Sequence, residues 1–339
     1  MTTAVNHQAP SVPSSMPPAG ACPFAENVRG QVAKTVVGQH VVVERILIAL
    51  LTGGHLLLEG VPGIAKTLLV QALARAIDLK SSRVQFTIDL LPSDIVGSEI
   101  LDQKSGEFRV HRGPVFTNLL LADEINRASP KVQSALLEAM QERKVSIGDK
   151  SYELPAPFLV IATQNPVEQA GTFELPEAQL DRFMLRHRLG YPTPADEAEV
   201  VKRSLALKLK RQGEGAVPMT AFDAIDDSRK LHIKDLTEAM TAVQNVHVSE
   251  VFIRDCVELV NLTRSSPDIE LGCSPRAALA LVHTSRARAF IHGRDFTVPE
   301  DFFALAEDVI LHRMRLTYEA LASGKKPQEV LAGILKTLA

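Results

Sequence analysis

Short apolar runs alternate with helix-like segments over residues 24–192. The runs are HLLLEG (55–60), RVQFTI (83–88), NLLLADE (118–124), APFLVIATQN (156–165) and FMLRHRL (183–189). Apolar residues at helical spacing lie between them, as in Lys66–Leu79 and Pro130–Arg143. Strands that are apolar throughout and separated by helices are typical of a parallel sheet covered on both faces. The pattern predicts an α/β domain with a central, mostly parallel five-stranded sheet.

The pattern changes after Tyr191, where Pro192 and Pro194 mark a boundary and the strand-like runs stop. Several of the segments that follow carry helix-start signals, such as Ser274 before Pro275. The predicted helices are 195–209, 235–246, 250–264, 274–291, 299–315 and 327–338. We therefore predict a smaller, all-helical domain over residues 193–339.

Two segments interrupt the first domain. Gly106 divides the segment of about 89–116 into two strand-like pieces, and Gly148 divides the segment of about 143–155 in the same way. Glycine between alternating patterns favours exposed hairpins. From the residues alone, these hairpins are either surface decoration or functional loops.

Composition narrows the class of protein. The 339 residues are 45% hydrophobic and 23% charged, which is typical of a globular protein with a sizeable core. Residues 1–23 are an exception, since they are rich in Pro, Ser and Ala and predict a flexible tail. The net charge of −3 gives no basic excess for binding a nucleic-acid backbone. Cys22, Cys256 and Cys273 are too scattered for a disulfide framework, and no secretory signal is evident, so we expect a cytoplasmic protein.

The segment Gly60–Thr67, GVPGIAKT, joins an apolar run to an apolar helical pattern. Glycines let backbone N–H groups converge on an anion, and the start of the next helix adds positive dipole. Lys66 supplies a cation for the β and γ phosphates, and the Thr67 hydroxyl can hold Mg²⁺. Ala65 stands where the common pattern has a second glycine. The segment still predicts a phosphate loop that binds a nucleoside triphosphate.

Carboxylates follow the third apolar run. Asp123 can hold Mg²⁺ there, and Glu124 can polarise a water against the γ-phosphate. Asn165, at the end of the next run, can contact the γ-phosphate or the attacking water. The alternatives are a helix N-cap for Asp123 and Glu124 and an Asx turn before Pro166 for Asn165. Arg182 and Arg276 lie at element ends, where a plain surface cation is the more common role of an arginine.

Four segments together resemble one family. They are GVPGIAKT, RGPVFTNLLLADEINRASPKVQSALLEAMQERKVSI, IATQNPVEQAGTFELPEAQLDRFML and GCSPRAALAL. In sequence and order they are similar to the MoxR family of AAA+ ATPases, over about residues 28–314. That family also carries alanine at the position of Ala65. The resemblance implies a P-loop αβα domain followed by a helical lid.

The resemblance also implies a role for each motif. Lys66 and Thr67 become the Walker A contacts, Asp123 and Glu124 the Walker B pair, Asn165 sensor 1, and Arg276 sensor 2. Arg182 becomes the arginine finger that reaches a neighbouring subunit, with Arg127 and Arg186 as alternatives. The hairpins become a helix-2 insert and a pre-sensor-1 hairpin facing a central pore. The expected nucleotide contacts are Val37, Gly38 and Gln39 beside the adenine, then Gly60, Val61, Pro62, Gly63, Ile64, Ala65, Lys66, Thr67 and Leu68.

By resemblance, the protein is expected to hydrolyse ATP with Mg²⁺ in a homo-hexameric ring and to remodel a protein client. A partner with a von Willebrand factor A domain and a role in metalloenzyme maturation are part of that expectation. A DNA-directed AAA+ motor or a chelatase-type subunit is the alternative, because both share the insert-bearing architecture. The near-neutral charge argues against the DNA-directed motor. A nucleotide switch with little turnover is a third hypothesis, which Glu124 disfavours.

Overall fold

The computed structural model describes residues 22–60, 66–104, 106–166, 171–212, 215–224 and 229–338. Nearly all of the predicted tail and positions 61–65 of the phosphate loop lie outside these residues. The helices are α1 (Pro23–Ala33), α2 (His40–Thr52), α3 (Lys66–Ala76), α4 (Pro92–Val96), α5 (Pro130–Glu142), α6 (Glu177–Leu180), α7 (Pro194–Ala206), α8 (Ile233–Gln244), α9 (Glu250–Ser265), α10 (Pro275–Ile291), α11 (Pro299–Ile310), α12 (Tyr318–Ala322) and α13 (Pro327–Leu338). The strands are β1 (Leu56–Glu59), β2 (Ser81–Gln85), β3 (Gly97–Asp102), β4 (Glu107–Arg112), β5 (Leu119–Asp123), β6 (Lys144–Ile147), β7 (Lys150–Glu153), β8 (Leu159–Gln164), β9 (Leu185–Arg188), β10 (Leu209–Gln212), β11 (Gly215–Pro218), β12 (Ile269–Leu271) and β13 (Arg315–Leu316).

A five-stranded parallel sheet in the order β2-β5-β8-β1-β9 forms the centre of the molecule. Successive residues of β1 point to opposite faces, so Leu56 and Leu58 join one apolar cluster and Leu57 joins the other. All three are fully buried. Helices α1, α2 and α3 cover the first face, and α5 covers the second. The predicted α/β sheet is confirmed, and burial on both faces explains why its inner strands are apolar throughout.

The edge strand β2 differs from its predicted bounds. It runs over Ser81–Gln85, whereas the apolar pattern placed it at residues 83–88. Only Val84 of the strand is buried, because β2 lies at the edge of the sheet. Phe86 is also buried and its backbone N donates to Asp123 O at 2.8 Å, but the chain then leaves the sheet. An edge strand needs few apolar residues, so hydrophobicity alone misplaced it.

Both predicted hairpins are present. In the first, β3 pairs antiparallel with β4, and in the second, β6 pairs with β7. Gly106 and Gly148 lie in the turns with φ values of 69° and 57°. These backbone angles lie in the left-handed region that glycine adopts without steric cost. The first hairpin exposes the apolar side chains of Ile100, Leu101 and Phe108.

The region that follows β9 is helical, as predicted, with two differences. It contains two short antiparallel ladders, β10 with β11 and β12 with β13, that the sequence analysis missed. Strands of two to four residues contain too few positions for an alternating pattern to stand out. The helix predicted over 299–315 ends at Ile310, and a 3-10 turn over Leu311–Arg313 replaces its last part.

Buried charges join this helical region to the sheet domain. The Asp308 carboxylate, on α11, accepts from Arg45 Nε on α2 at 2.6 Å. Its other oxygen lies 2.8 Å from His187 Nδ1 on β9. Arg45 Nη2 also donates to Ala304 O at 2.8 Å. These contacts hold α11 against both α2 and the edge strand β9.

We predict that Asp308→Ala destabilises the fold strongly. The substitution removes the carboxylate that faces the buried Arg45 Nε and leaves Arg45 paired with Glu44 alone, through Nη1 at 2.8 Å. Breaking a buried ion pair costs about 3–5 kcal/mol in measured cases, and the remaining Glu44 contact places the expected cost at the lower end of that range. Glu199→Ala is the matched control, because the Glu199–Arg203 pair has side chains that are 43% exposed on both sides. The control should cost less than about 1 kcal/mol. Urea denaturation followed by circular dichroism measures both, and equal shifts of the two midpoints would contradict this account.

Candidate active site

Lys66 is the first residue of α3, directly after the phosphate-loop positions 61–65, which lie outside the described residues. Its Nζ donates to Gly60 O at 2.9 Å, and the residue is 9% exposed. Burial lowers the pKa of Lys66, while the Asp123 and Glu124 carboxylates oppose that shift. Thr67 is half-buried, and Leu68 packs against the core. The amine is therefore held at the carboxyl end of β1, close enough to both carboxylates to interact with them.

Asp123 is the last residue of β5 and is 8% exposed. Its Oδ1 accepts from the Thr163 hydroxyl at 2.6 Å, and its Oδ2 accepts from Arg83 Nη2 at 2.7 Å. Asp123 is thus fixed in orientation by strands on both sides of β5.

Glu124 leaves the strand in the left-handed conformation, with φ of 57°. Its backbone N donates to Thr163 Oγ1 at 2.9 Å. Its Oε2 accepts from Gln85 Nε2 at 2.8 Å and pairs with Arg127 Nε at 2.9 Å. The carboxylates of Asp123 and Glu124 thus have different side-chain partners, Thr163 and Arg83 for the first and Gln85 and Arg127 for the second.

Three residues of this constellation were missed by sequence reasoning: Arg83, Gln85 and Thr163. Gln85 is opposite Asp123 in the register of β2 with β5, and Thr163 is fully buried in β8. The available signal was a polar side chain near the carboxyl end of each strand. Their contacts depend on strand order, which the sequence does not state.

Asn165 follows β8 directly and is 4% exposed. Because β8 lies between β1 and β5, the position after it lies between the phosphate loop and Glu124. Gly60 N donates to Gln164 O at 3.2 Å, which ties the end of β8 to the start of the loop. The structure thus brings Lys66 and Asn165 to the same edge of the sheet as the Asp123–Glu124 pair.

The loop of Val37, Gly38 and Gln39 joins α1 to α2, and α1 packs against α3. Gly38 has φ of 76°, and a Cβ built on it would lie 2.5 Å from the Asp196 carboxylate. A Cβ at this position would therefore displace the Asp196 side chain, in the first turn of α7, and the left-handed φ disfavours residues other than glycine. Val37, Gly38 and Gln39 therefore lie between α3, which follows the phosphate loop, and α7, the first helix after the sheet.

Arg182 and Arg276 lie at the opposite edge of the sheet. Both line a pocket of about 140 Å³ whose wall includes His55, the residue before β1. Met184 N donates to His55 O at 2.9 Å, which places the Arg182 segment beside the amino end of β1. The whole length of the sheet therefore separates these two arginines from the phosphate loop of the same chain.

Arg127 and Arg186, the alternatives to Arg182, lie near the carboxyl edge instead. Arg127 pairs with Glu124, as described above. Arg186 Nη2 lies 2.5 Å from Glu59 Oε1, directly before the phosphate loop. Both arginines are therefore engaged by carboxylates beside their own chain's phosphate loop.

Comparison with known proteins agrees with this geometry. Residues 55–185 match the ATPase family associated with various cellular activities (AAA), and residues 261–334 match the AAA lid domain. The sheet, the phosphate-loop lysine and the paired carboxylates thus belong to an AAA ATPase with a helical lid. Chaperone MoxR1 of Mycobacterium tuberculosis is 42% identical over 332 residues, which covers 95% of this chain and 85% of that protein. The chain belongs to the MoxR family of AAA ATPases, and membership implies ATP hydrolysis.

Two further proteins are similar to this chain. Protein YeaC of Bacillus subtilis is 41% identical over 305 residues, which covers 90% of this chain and 91% of that protein. A crystal structure of a proposed ATPase from Cytophaga hutchinsonii is 43% identical with a TM-score of 0.80, and it covers 92% of this chain and 94% of that chain. In the described part of the chain, the helices are too short or too polar to cross a membrane.

We predict that Thr163→Val slows ATP hydrolysis. The substitution keeps the shape of the side chain but removes the hydroxyl that joins Asp123 Oδ1 to the backbone of Glu124. A hydrogen bond to a charged group contributes about 1.5–3 kcal/mol, so kcat should fall by about 10- to 100-fold. Thr163→Ser retains the hydroxyl and is the matched control. Steady-state ATPase kinetics compare the two, and a valine variant as fast as the serine variant would contradict the assigned role.

Proposed function

We propose that this protein hydrolyses ATP at the contact between adjacent subunits of a ring and uses the energy to remodel a protein client. The observation that supports it is the separation of the site residues. The carboxyl edge of the sheet holds Lys66, Asp123, Glu124 and Asn165. The amino edge holds Arg182 and Arg276. A single chain cannot bring the two groups to one nucleotide, but a neighbouring copy can.

At the carboxyl edge, Lys66 binds the β and γ phosphates, and Glu124 orients and polarises the attacking water. Asn165 contacts the γ-phosphate or that water. The loop Gly60–Ala65 cradles the phosphates with its backbone N–H groups, to which Pro62 contributes none, and Thr67 and Leu68 continue that contact at the start of α3. Val37, Gly38 and Gln39, beside α7, contact the adenine.

Thr67 and Asp123 fit a Mg²⁺ site. A hydroxyl and a carboxylate are the hard oxygen ligands that Mg²⁺ prefers. In this structure Asp123 Oδ2 already meets a cation, the Arg83 guanidinium at 2.7 Å. When bound, Mg²⁺ neutralises charge on the β and γ phosphates. The Arg83 side chain is 48% exposed, so it can move away from Asp123 when Mg²⁺ binds.

Arg182 and Arg276 act on the nucleotide of the neighbouring subunit. Arg182 neutralises charge that develops on the transferred phosphoryl group, and a finger of this kind contributes about 10³- to 10⁵-fold in other nucleotide hydrolases. Arg276 Nη1 is 3.8 Å from Asp181 Oδ2 and its side chain is 54% exposed. Asp181 therefore anchors the Arg276 side chain on one side, while its exposed part can contact phosphate oxygens across the interface.

The hairpins β3–β4 and β6–β7 act on the client. Ile100, Leu101 and Phe108 give the first hairpin an exposed apolar surface, which a soluble chain rarely retains without an interaction. The name of the M. tuberculosis relative, a chaperone, supports protein remodelling. We propose a hexamer, a partner with a von Willebrand factor A domain, and a role in metalloenzyme maturation, all from the family resemblance.

Glu124→Gln should bind ATP with normal affinity but hydrolyse it at least about 10²-fold more slowly, since a neutral amide cannot polarise the water. The trapped ATP form should capture the client and the von Willebrand factor A partner in a pull-down. Lys66→Ala, which should not retain ATP, is the control bait. Normal turnover by the Glu124→Gln protein would contradict the role, and turnover strongly stimulated by DNA with a steep salt dependence would favour a DNA motor.

Arg182→Ala should retain ATP affinity and lose about 10³-fold or more in turnover. Mixing it with Lys66→Ala should restore part of the activity. In mixed rings, the Lys66→Ala subunits supply intact arginines and the Arg182→Ala subunits supply intact phosphate loops. Subunit exchange is verified with labelled proteins. Activity that stays lost in verified mixed rings would contradict a finger acting between subunits.

A further inference from the structure

Arg313 is a buried arginine outside the proposed nucleotide site. It ends the 3-10 turn after α11, and its side chain is only 2% exposed. Its guanidinium Nε donates to Asp181 Oδ1 at 2.8 Å. A guanidinium in this setting is retained only where its rigid fork of donors meets several acceptors, because desolvation of the charge is costly.

The acceptors of Arg313 surround Arg182. Nη2 donates to Phe183 O at 2.6 Å and to Asp181 O at 3.3 Å, and Nη1 donates to Met184 O at 3.3 Å. The neighbouring His312 Nε2 also lies 3.1 Å from Phe183 O. Two residues of the lid thus bind main-chain carbonyls before and after Arg182, those of Asp181, Phe183 and Met184.

Asp181 joins the second arginine to the same cluster. Its carboxylate accepts from the Ser274 hydroxyl at 3.0 Å, and Ser274 is the N-cap of α10, the helix that carries Arg276. The Asp181 carboxylate therefore contacts Arg313, Ser274 and Arg276 together. One ion pair connects the segment of Arg182 to the helix of Arg276.

We propose that Arg313, through its ion pair with Asp181, is the positioning residue that holds Arg182 and Arg276 as one unit toward the neighbouring subunit's nucleotide. The inference rests on the proposed function of these two arginines. Because Arg313 belongs to the lid, the lid of one subunit sets the hydrolysis rate in the next. Movement of a lid thereby changes turnover in the adjacent site without any contact between Arg313 and ATP.

The test uses Arg313→Lys and Asp181→Asn in the full chain. Lysine keeps the charge but lacks the fork that reaches several acceptors at once. Misplacement of a catalytic group by about 1 Å can cost about 10²-fold, so kcat should fall by about that factor. The KM for ATP and the binding of a fluorescent ATP analogue should not change, because the carboxyl edge is untouched.

Arg294→Lys is the matched control. Arg294 is also a buried lid arginine, with a side chain 10% exposed and an ion pair to Asp301 Oδ1 at 2.6 Å. It does not contact the Asp181–Met184 segment in the described part of the chain. A general loss of lid packing would affect both lysine variants alike, whereas the proposal expects near-normal kcat for Arg294→Lys.

Mixed rings distinguish misplacement of Arg182 and Arg276 from damage to another part of the subunit. Arg313→Lys mixed with Lys66→Ala should recover activity. The Arg313→Lys subunit supplies an intact phosphate loop, and the Lys66→Ala subunit supplies correctly placed Arg182 and Arg276. Arg313→Lys mixed with Arg182→Ala should not recover activity, because both substitutions damage the arginines that one subunit presents to its neighbour. Equal recovery in the two mixtures, or a normal kcat for Arg313→Lys alone, would overturn the proposal.

If Arg313→Lys fails to fold by circular dichroism, Asp181→Asn is tested by the same two mixtures and the same criteria apply. If Arg182→Ala keeps full turnover, the proposed function fails first, independently of the result with Arg313. A slow Arg313→Lys beside a slow Arg182→Ala, with the predicted mixing pattern, supports both.

Discussion

The two ends of the strands of a parallel sheet are separated by the strand length, and the proposed function of this chain depends on which residues lie at which end. All five strands run in one direction, so the segments that follow them meet at one edge and the segments that precede them meet at the other. Lys66, Glu124 and Asn165 follow strands, and Asp123 is the last residue of one. Arg182 precedes one. The parallel strands that form the buried core therefore also separate Arg182 from the phosphate-loop residues of the same chain.

Side chains of neighbouring strands orient the carboxylates at the carboxyl edge. Thr163 and Arg83 contact Asp123 from the strands on its two sides, so strand order fixes the position of its carboxylate. Glu124 is engaged by Gln85 and Arg127, and its proposed role requires it to exchange one of these contacts for a water. Only the Thr163 contact of Asp123 is therefore preorganised in the sense that it need not rearrange for the reaction.

Much of this arrangement could be predicted from the sequence, and the exceptions have physical causes. The inner strands were predicted because burial on both faces makes them apolar, whereas the edge strand β2 was misplaced because it is exposed. The two hairpins were predicted from Gly106 and Gly148, but the short ladders of the lid left no pattern. Arg83 and Gln85 were missed because their contacts follow from strand order. Arg313 gave no signal at all, since a buried arginine cannot be distinguished from a surface arginine by its residue type.

The dependence of ATPase activity on protein concentration tests the central claim most directly. Turnover per subunit is measured over a dilution series at saturating ATP and Mg²⁺, while mass photometry reports the fraction of assembled subunits in the same samples. A site completed by two chains predicts that turnover per subunit rises in proportion to assembly and falls toward zero in dilute monomers. Full turnover per subunit in samples that contain only monomers would contradict it.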